Sequence, residues 1–367
     1  MPRKLETDRW LFLVTLALCL IGAVMVFSAS AVTAREQYGN AYHFLWRQLV
    51  SLGLGLVAMF AVMCFDYRRL RQPRFVFTVL SVVLLALLGL FFLDKSHDTH
   101  RWIRLGPASL QPSEFAKLAV ILYLAWFLEA RRRTFGLGVN SLRYSILPAL
   151  AVVLLIAGLV LLEPDLGTAL EICVIALAML FVAGLSPIYL LGAATAAVPV
   201  IYLAVVRVSY RHERILAFLH PEADPQGAGF QLMQSLIAVG SGGLSGVGLM
   251  ESSQKLFYLP EAHTDFIYAV LCEELGFLGG SAVLVLFALY AWRGLRASLR
   301  APDEFGRFLA LGITVMIVGQ ALVNLGVVLG MMPTKGISLP FISYGGSSLF
   351  ASLLATGVLL NIGQHGD

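Results

Sequence analysis

The sequence predicts an all-α integral membrane protein, a bundle of ten transmembrane helices. Of its 367 residues, 59% are hydrophobic and 13% are charged, whereas soluble domains have roughly 45–50% and about 25%. The apolar runs have the length of helices that cross a hydrocarbon core of about 30 Å. No barrel-like alternation of apolar and polar residues is present, and helices satisfy their backbone polar groups internally.

Ten apolar runs supply the spans. The stretch 168–206 counts as two of them, divided at Ser186 and Pro187, because it is too long for one crossing. The first run is too long for a signal-peptide core, so we interpret it as a retained helix. We expect one domain, 1–367, with a large extracytoplasmic loop at about 207–264 between spans seven and eight. The predicted spans are 9–31, 46–65, 75–94, 113–130, 145–162, 168–186, 187–206, 265–292, 307–331 and 344–363.

The basic residues predict the orientation. More than half of the 26 lysines and arginines fall on one side of this topology, and that side is expected to be cytoplasmic. Both termini are then cytoplasmic. The segments on the other side are richer in acidic residues, histidine, glycine and proline, so any chemistry is expected on the outer face. The cytoplasmic residues are Arg3, Lys4, Arg9, Arg68, Arg69, Arg71, Arg74, Arg131, Arg132, Arg133, Arg143, Arg293, Arg296, Arg300 and Arg307.

Asp265 lies where a long polar stretch enters the apolar run of span eight, two residues after His263. Two interpretations are open. Thr264 or Asp265 could cap the helix that follows. Alternatively, a carboxylate that is partly desolvated at the mouth of the membrane has a raised pKa and can serve as a base. Local sequence alone favours the cap.

Glu114 and Lys117 lie in the fourth span with i,i+3 spacing, which puts them on one helical face. Ionisable residues in a span face the bundle interior or a cavity and form pairs. They form either a structural ion pair or a site where Lys117 binds a phosphate. Arg101, Trp102 and Arg104 precede them at the outer interface, where they either anchor the chain among headgroups or bind an anion.

Other outer features have simpler interpretations. Asp165 is expected to cap span six, and one member of the pair 273–274 is expected to form a buried hydrogen bond. Within the external loop, 230–239 is amphipathic and is expected at the membrane surface. The glycine-rich stretch 240–248 is expected to be a turn, since it lacks the features of a P-loop. Ser347 and Ser348 either pack the last helix tightly or line a polar cavity.

Five segments resemble the signature segments of the SEDS family (shape, elongation, division and sporulation), in the same order and over nearly the whole chain. The stretches 254–263 and 333–336 are more similar to the FtsW-like division branch than to the RodA-like elongation branch. The five segments are QPSEFAK at 111–117, PDLGTA at 164–169, GSGGL at 240–244, LPEAHTDFI at 259–267 and LPFISYGGSS at 339–348.

The resemblance implies a peptidoglycan glycosyltransferase that polymerises lipid II at the outer face of the bacterial cytoplasmic membrane. Asp265 matches the family's essential acid, and Glu114 and Lys117 match residues of its polar outer cavity. An inverting transfer needs a base, for which we expect Asp265. Stabilisation of the departing diphosphate would come from Lys117, Arg101, Arg104 or a divalent cation, Mg²⁺ or Mn²⁺. Further expected substrate-binding residues are Trp102, His263, Lys255, Ser347 and Ser348.

The resemblance also implies partners. These are lipid II, the polyprenyl-diphosphate-linked glycan, a class B penicillin-binding protein that makes the crosslinks, other divisome proteins and membrane lipids, but no nucleic acid. Two other functions stay open at this point: a flippase for lipid II, and a non-catalytic scaffold for the penicillin-binding protein. A role in elongation is an alternative to septal synthesis.

Overall fold

The computed structural model describes residues 7–93, 101–105, 108–135, 139–224, 227, 229–256 and 258–366. Within them the chain is mostly helical, with irregular segments between the helices and one antiparallel hairpin of two short strands, β1 (Ile103–Leu105) and β2 (Ala108–Leu110). The helices are α1 (Arg9–Tyr38), α2 (His43–Met63), α3 (Pro73–Leu93), α4 (Pro112–Phe135), α5 (Leu147–Leu162), α6 (Leu166–Val182), α7 (Pro187–Val206), α8 (Ser209–Leu219), α9 (Phe230–Ser241), α10 (Ile267–Arg300), α11 (Glu304–Val328) and α12 (Gly346–His365).

Each of the ten predicted spans corresponds to one of these helices. In the described part of the chain, eight helices are long and apolar enough to cross a membrane, namely α1, α2, α3, α5 with the π-helical turn before it, α7, α10, α11 and α12. The helix α6 is apolar but has only 17 residues, and α4 carries charged residues toward both of its ends. The protein is a multi-pass membrane protein, and the count of ten spans stays a prediction.

Helix α11 lies at the centre of the bundle, where it packs against α4, α6, α9, α10 and α12. Most side chains of α11 and α12 are buried, whereas α7 is almost entirely exposed. An exposed apolar helix in a membrane protein faces lipid or a neighbouring protein, so α7 forms the periphery. Polar residues of the central helix are therefore the ones that can reach a site inside the bundle.

The long loop between α7 and α10 contains the two helices α8 and α9. As the sequence predicted, 230–239 is helical, but α9 packs on α10 and α11 instead of lying only at the membrane surface. Its Ser235 hydroxyl donates to the carbonyl oxygen of Val328 at the end of α11, at 2.8 Å. The loop is thus anchored to the bundle before it reaches Asp265.

Helix α10 is broken at Gly276, which has φ 65° and ψ −165°. A side chain would be strained there, and a break leaves backbone groups that must be satisfied inside the protein. The glycine-rich turn supplies the partners. Val247 N donates to the oxygen of Glu273 at 3.0 Å, and Phe277 N donates to the oxygen of Gly243 at 2.8 Å. The stretch 240–248 is therefore a turn, as expected, and it also pairs with the broken helix.

A cluster of buried polar side chains that hydrogen-bond to one another lies next to this break. We call it the Lys255 cluster, and it consists of Ser28, Ser252, Lys255, Glu273 and Glu274. The Lys255 ammonium lies 2.8 Å from Glu274 Oε1 and 3.2 Å from Ser28 Oγ. Glu273 accepts hydrogen bonds from the hydroxyl of Ser252 and the backbone nitrogen of Ser253. Both glutamates of the 273–274 pair are thus in buried hydrogen bonds, whereas the sequence indicated only one.

Candidate active site

A cavity of about 240 Å³ lies where several helices begin. Its walls come from the segment before β1, the first turns of α4 and α6, the segment before α10, the middle of α11 and the loop before α12. The side chains that line it are mostly polar, which is unusual inside a bundle whose other helix faces are apolar. They include Arg101, Trp102, Gln111, Glu114, Asp165, Thr168, Glu171, Glu261, Thr264, Asp265, Gln320, Ser338, Tyr344 and Ser348.

Asp265 does not cap the helix that follows it. Helix α10 begins at Ile267, its N-cap is Phe266, and no side chain makes the capping hydrogen bond. The Asp265 carboxylate instead faces the cavity. It lies so close to Gly336 that a Cβ atom on that glycine would be 2.8 Å from Asp265 Oδ2. The capping interpretation, which the local sequence favoured, is therefore wrong.

Burial raises the pKa of the Asp265 carboxyl group to about 7, and the nearby Glu261 carboxylate adds to the effect. Arg214 and Arg101 act in the opposite direction. A carboxyl group with a pKa near neutrality is present in both protonation states at pH 7. It can therefore accept a proton from a substrate hydroxyl and release it afterwards.

Backbone contacts hold Asp265 in place. The Asn324 amide nitrogen donates to the carbonyl oxygens of Asp265 and Ile337, both at 2.7 Å. The hydroxyl of Ser343 donates to the carbonyl oxygen of Thr264 at 2.6 Å. The segment before α10 is thus tied to the central helix and to the loop before α12, which fixes the direction of the carboxylate.

Lys117 is buried in a second polar group, the Lys117 cluster, which consists of Glu114, Lys117, Glu171 and Gln320, and only its three partners line the cavity. Its ammonium lies 3.1 Å from Glu114, 2.8 Å from Gln320 Oε1 and 3.4 Å from Glu171 Oε2. The spacing of Glu114 and Lys117 predicted their pairing. Glu171 and Gln320 join them from α6 and α11, and these two together with Glu114 face the cavity.

Arg101 contributes a positive charge to the cavity wall. Its guanidinium donates to the carbonyl oxygens of Glu163 and Pro164 in the turn between α5 and α6. Lys335 lies close by, since a Cβ atom on Gly167 would be 2.5 Å from its Cε. Burial lowers the pKa of the Lys335 ammonium, and Asp165 and Glu171 partly offset this.

Comparisons with known proteins agree with this arrangement. The family described as "Cell cycle protein", that of FtsW, RodA and SpoVE, matches residues 9–367. This chain belongs to that family. It is 45% identical to the "Probable peptidoglycan glycosyltransferase FtsW" of Trichlorobacter lovleyi, over 98% of this chain and 94% of the relative. It is 43% identical to the Bacillus subtilis "Stage V sporulation protein E", over 99% and 98%. The expected SEDS membership is confirmed.

Solved structures of the family have the same fold. One, described as "Structural coordination of polymerization and crosslinking by a peptidoglycan synthase complex", superposes with a TM-score of 0.80 and is 34% identical, covering 99% of both chains. The Thermus thermophilus rod shape determining protein RodA superposes with a TM-score of 0.69 and 31% identity, covering 98% of this chain and 97% of that one. These matches place nearly the whole chain in one family fold.

Three residues that the sequence offered as substrate-binding candidates lie elsewhere. His263 packs between the rings of Phe44 and Tyr344, with centroids at 4.7 and 5.7 Å, and burial lowers its pKa. Lys255 belongs to the buried Lys255 cluster. Ser347 joins the hairpin to α12, since its hydroxyl donates to the carbonyl oxygen of Ser109 at 3.0 Å. None of the three lines the cavity.

The remaining candidates fall in or near the cavity. Trp102 and Ser348 line it, and Asp165 caps α6 as predicted, accepting a hydrogen bond from Thr168 N at 3.1 Å. Arg104 lies in β1, but its side chain is outside the described residues.

Sequence reasoning missed Gln320 and Asn324. These amides are one helical turn apart in an otherwise apolar span, and that i,i+4 pattern could have found them. In the described residues, no group of three or more His, Cys, Asp or Glu side chains lies close enough together to hold a metal ion.

Proposed function

We propose that this protein polymerises lipid II into glycan strands by inverting glycosyl transfer at the outer face of the bacterial cytoplasmic membrane. The observation that carries the proposal is the Asp265 carboxylate. It has no hydrogen-bond partner among the described residues, its pKa is close to 7, and it faces a cavity that is also lined by the Arg101 guanidinium. The names of the relatives in the same family support this activity.

Asp265 is the general base of the proposed reaction. It removes the proton from the 4-hydroxyl of the acceptor N-acetylglucosamine while that oxygen attacks C1 of the donor sugar. The new C1–O bond forms on the face opposite the leaving group, and the bond from C1 to the diphosphate oxygen breaks. The α-linked donor thus gives a β-linked product. A base of this kind contributes roughly 10²–10⁴-fold to the rate.

Arg101 is the better candidate to stabilise the diphosphate. The ammonium of Lys117 is surrounded by the carboxylates of Glu114 and Glu171, so its charge is already compensated. Arg101 donates to neutral carbonyl oxygens, and Lys335 makes no ion pair with any described residue. Their charges are available to an anion. Lys117 then acts by holding Glu114 and Gln320 in the cavity wall.

A divalent ion stays a prediction. Mg²⁺ is commonly bound by one or two carboxylates together with the phosphates of the substrate. One or two of the carboxylates of Glu114, Glu171 and Asp165, which line the cavity, would hold such an ion. A site of this kind would form only when the diphosphate is present.

The proposed topology puts both termini in the cytoplasm and the cavity outside. It rests on the arginine clusters. Two exposed positions test it. Native Cys64 lies after α2, on the proposed inner side, and a cysteine introduced as Glu222→Cys lies in the outer loop. A membrane-impermeant maleimide should label position 222 in intact cells and Cys64 only after permeabilisation. The reverse labelling would contradict the orientation.

The proposed partners are a class B penicillin-binding protein, other division proteins and membrane lipids. The solved relative concerned with polymerization and crosslinking supports a complex of this type. We propose a septal role because the relatives named FtsW are similar over nearly the full chain. The sporulation relative, at 43% identity, makes synthesis of the spore wall the second candidate role.

One assay distinguishes polymerase, flippase and scaffold. The full-length protein is purified with its penicillin-binding protein and supplied with lipid II, and the products are separated by gel electrophoresis. A ladder of glycan strands supports the polymerase. Transfer of fluorescent lipid II across vesicles without any polymer would support the flippase. A stable complex with the penicillin-binding protein that shows neither polymerisation nor transfer of lipid II would support the scaffold.

A further inference from the structure

A second depression opens on the outer side of the molecule, next to the cavity. Its volume is about 370 Å³. Glu213 and Arg214 of α8 form one wall, Phe230 and Gln231 of α9 form another, and Pro260 and Thr334 form the side nearest the cavity. We call this depression the α8–α9 groove. None of these six residues lines the cavity itself.

The groove and the cavity share a narrow rim. Pro260 lines the groove, and the next residue, Glu261, lines the cavity. Thr334 lines the groove, and Gly336 lines the cavity against the Asp265 carboxylate. A polymeric ligand that extends from the cavity at Asp265 across this rim therefore enters the groove.

The groove combines groups that suit a chain of sugars. Glu213 and Arg214 contribute opposite charges, Gln231 an amide, Thr334 a hydroxyl and Phe230 an aromatic ring. The cavity differs in containing several carboxylates and Arg101. Hydroxyl and acetamido groups of a sugar bind to amide and carboxylate side chains, and the apolar face of a sugar ring packs on an aromatic ring. The volume falls within the range of about 300–1,000 Å³ typical of small-ligand sites.

Two of these side chains are available to a ligand. Neither the Gln231 amide nor the Glu213 carboxylate makes a hydrogen bond or an ion pair with any described residue. Glu213 is exposed, and Gln231 is half-buried. Their polar atoms can therefore bind a saccharide without first breaking contacts within the protein.

We infer that the α8–α9 groove binds the glycan strand, holding sugar units adjacent to those that react at Asp265. The inference rests on the proposed function. A polymerase that held only the two reacting sugars would release its product after each transfer. Contacts to units already joined keep the strand bound while it advances by one disaccharide, and they therefore determine strand length.

The first test measures strand length. Gln231→Ala and Glu213→Ala are combined in the full-length protein purified with its penicillin-binding protein, and initial lipid II consumption and product length are followed. We expect mean strand length to fall by about fivefold, the effect of losing one or two hydrogen bonds, with the initial rate close to wild type. The matched control combines Gln234→Ala on α9 with Glu222→Ala, both outside the groove, and should give strands of wild-type length.

An unchanged length distribution in the groove variant would overturn the inference, and so would equal shortening in the control.

The second test does not depend on activity. A soluble tetrasaccharide of alternating N-acetylglucosamine and N-acetylmuramic acid is titrated into the full-length protein. Binding that weakens about fivefold in the groove variant and not in the control supports the groove. If the wild type binds the tetrasaccharide but does not polymerise lipid II, glycan binding by the groove is supported and the proposed function is overturned. If the wild type does not bind the tetrasaccharide, glycan binding by the groove is overturned.

Discussion

The protein buries two lysines among glutamates, Lys255 and Lys117. The difference between their clusters indicates which one stabilises the fold and which one belongs to the active site. In the Lys255 cluster, the ammonium lies 2.8 Å from Glu274 and 3.2 Å from Ser28 Oγ. In the Lys117 cluster, the ammonium lies 2.8 Å from Gln320 and 3.1 Å from Glu114. By burial and by distance they are equivalent.

The two clusters differ in whether all of their carboxylate oxygens have hydrogen-bond partners. Both carboxylates of the Lys255 cluster, Glu273 and Glu274, accept hydrogen bonds on both oxygens, and neither lines the cavity at Asp265. In the Lys117 cluster, Glu171 Oε1 has no partner among the described residues, and Glu114 and Gln320 face the cavity. A buried polar network in which every group is hydrogen-bonded stabilises a fold. A network beside a cavity that has unpaired hydrogen-bond acceptors can bind a ligand.

Among the tests of this comparison between the two clusters, the largest effect is expected from Lys117→Met. The substitution keeps the apolar length of the side chain but leaves Glu114 and Glu171 without their cation. We expect lipid II polymerisation to fall by about 10²-fold or more because the cavity wall is rearranged. Polymerisation per folded molecule is measured in detergent, with Lys255→Met as the matched control. Retention of activity would contradict the assignment of this cluster to the active site.

Lys255→Met should mainly lower stability. Removing one partner of a buried ion pair leaves a buried charge and costs about 3–5 kcal/mol. We expect a lower midpoint of thermal unfolding, with the activity of the folded fraction within about threefold of wild type. A loss of activity as large as that of Lys117→Met, in protein that is still folded, would remove the contrast between the clusters.

Gly336→Ala should disturb the position of Asp265. The new Cβ atom would lie 2.8 Å from Oδ2 of the carboxylate, so the carboxylate must move. A displacement of this kind costs up to about 10²-fold in rate, and we expect a loss of about tenfold with little change in stability. Gly319→Ala is the control, because nothing lies within 4 Å of its added Cβ. Equal rates for both variants would contradict the proposed contact.

Glu261→Gln tests the charge beside the base and should give the smallest change. A base must be ionised, so activity should rise with pH through about 7, the pKa of Asp265. Glu261 helps to raise that pKa, so its neutralisation should shift the rise to lower pH. The shift is measured from initial rates between pH 5 and pH 9, a window of roughly two units on each side. A shift to higher pH would contradict the assignment.

The same raised pKa predicts a stability effect of the opposite sign. The folded-state pKa of Asp265, about 7, lies above the reference value of 3.8. Its contribution to stability is therefore fully present below pH 3.8 and is lost as the pH rises through 7. Ionisation that activates the enzyme thus costs folding stability.

Regular helices made part of the site predictable. The i,i+3 spacing of Glu114 and Lys117 gave their pairing, and the position of Asp165 gave the cap of α6, because both depend on local geometry. The helices were also found, since long apolar runs determine them. The partners Glu171 and Gln320 belong to distant helices, and their meeting depends on how α4, α6 and α11 pack.

The irregular segments were not predictable. The local sequence favoured a cap of α10 at Thr264 or Asp265, but the helix starts at Ile267, and Asn324 and Ser343 hold the backbone before it. His263 and Lys255 share the same polar stretch and yet face away from the cavity. A segment without a helical or strand period gives no indication of which side each residue faces.

The central claim is that Asp265 is the base, and polymerisation by Asp265→Asn tests it most directly. The amide has nearly the same size as the carboxyl group but cannot accept the proton. We expect lipid II polymerisation to fall by roughly 10²–10⁴-fold, while the protein unfolds at the same temperature as wild type or higher, since a buried ionisable group has been removed. A folded Asp265→Asn variant that polymerises lipid II at the wild-type rate would contradict the claim.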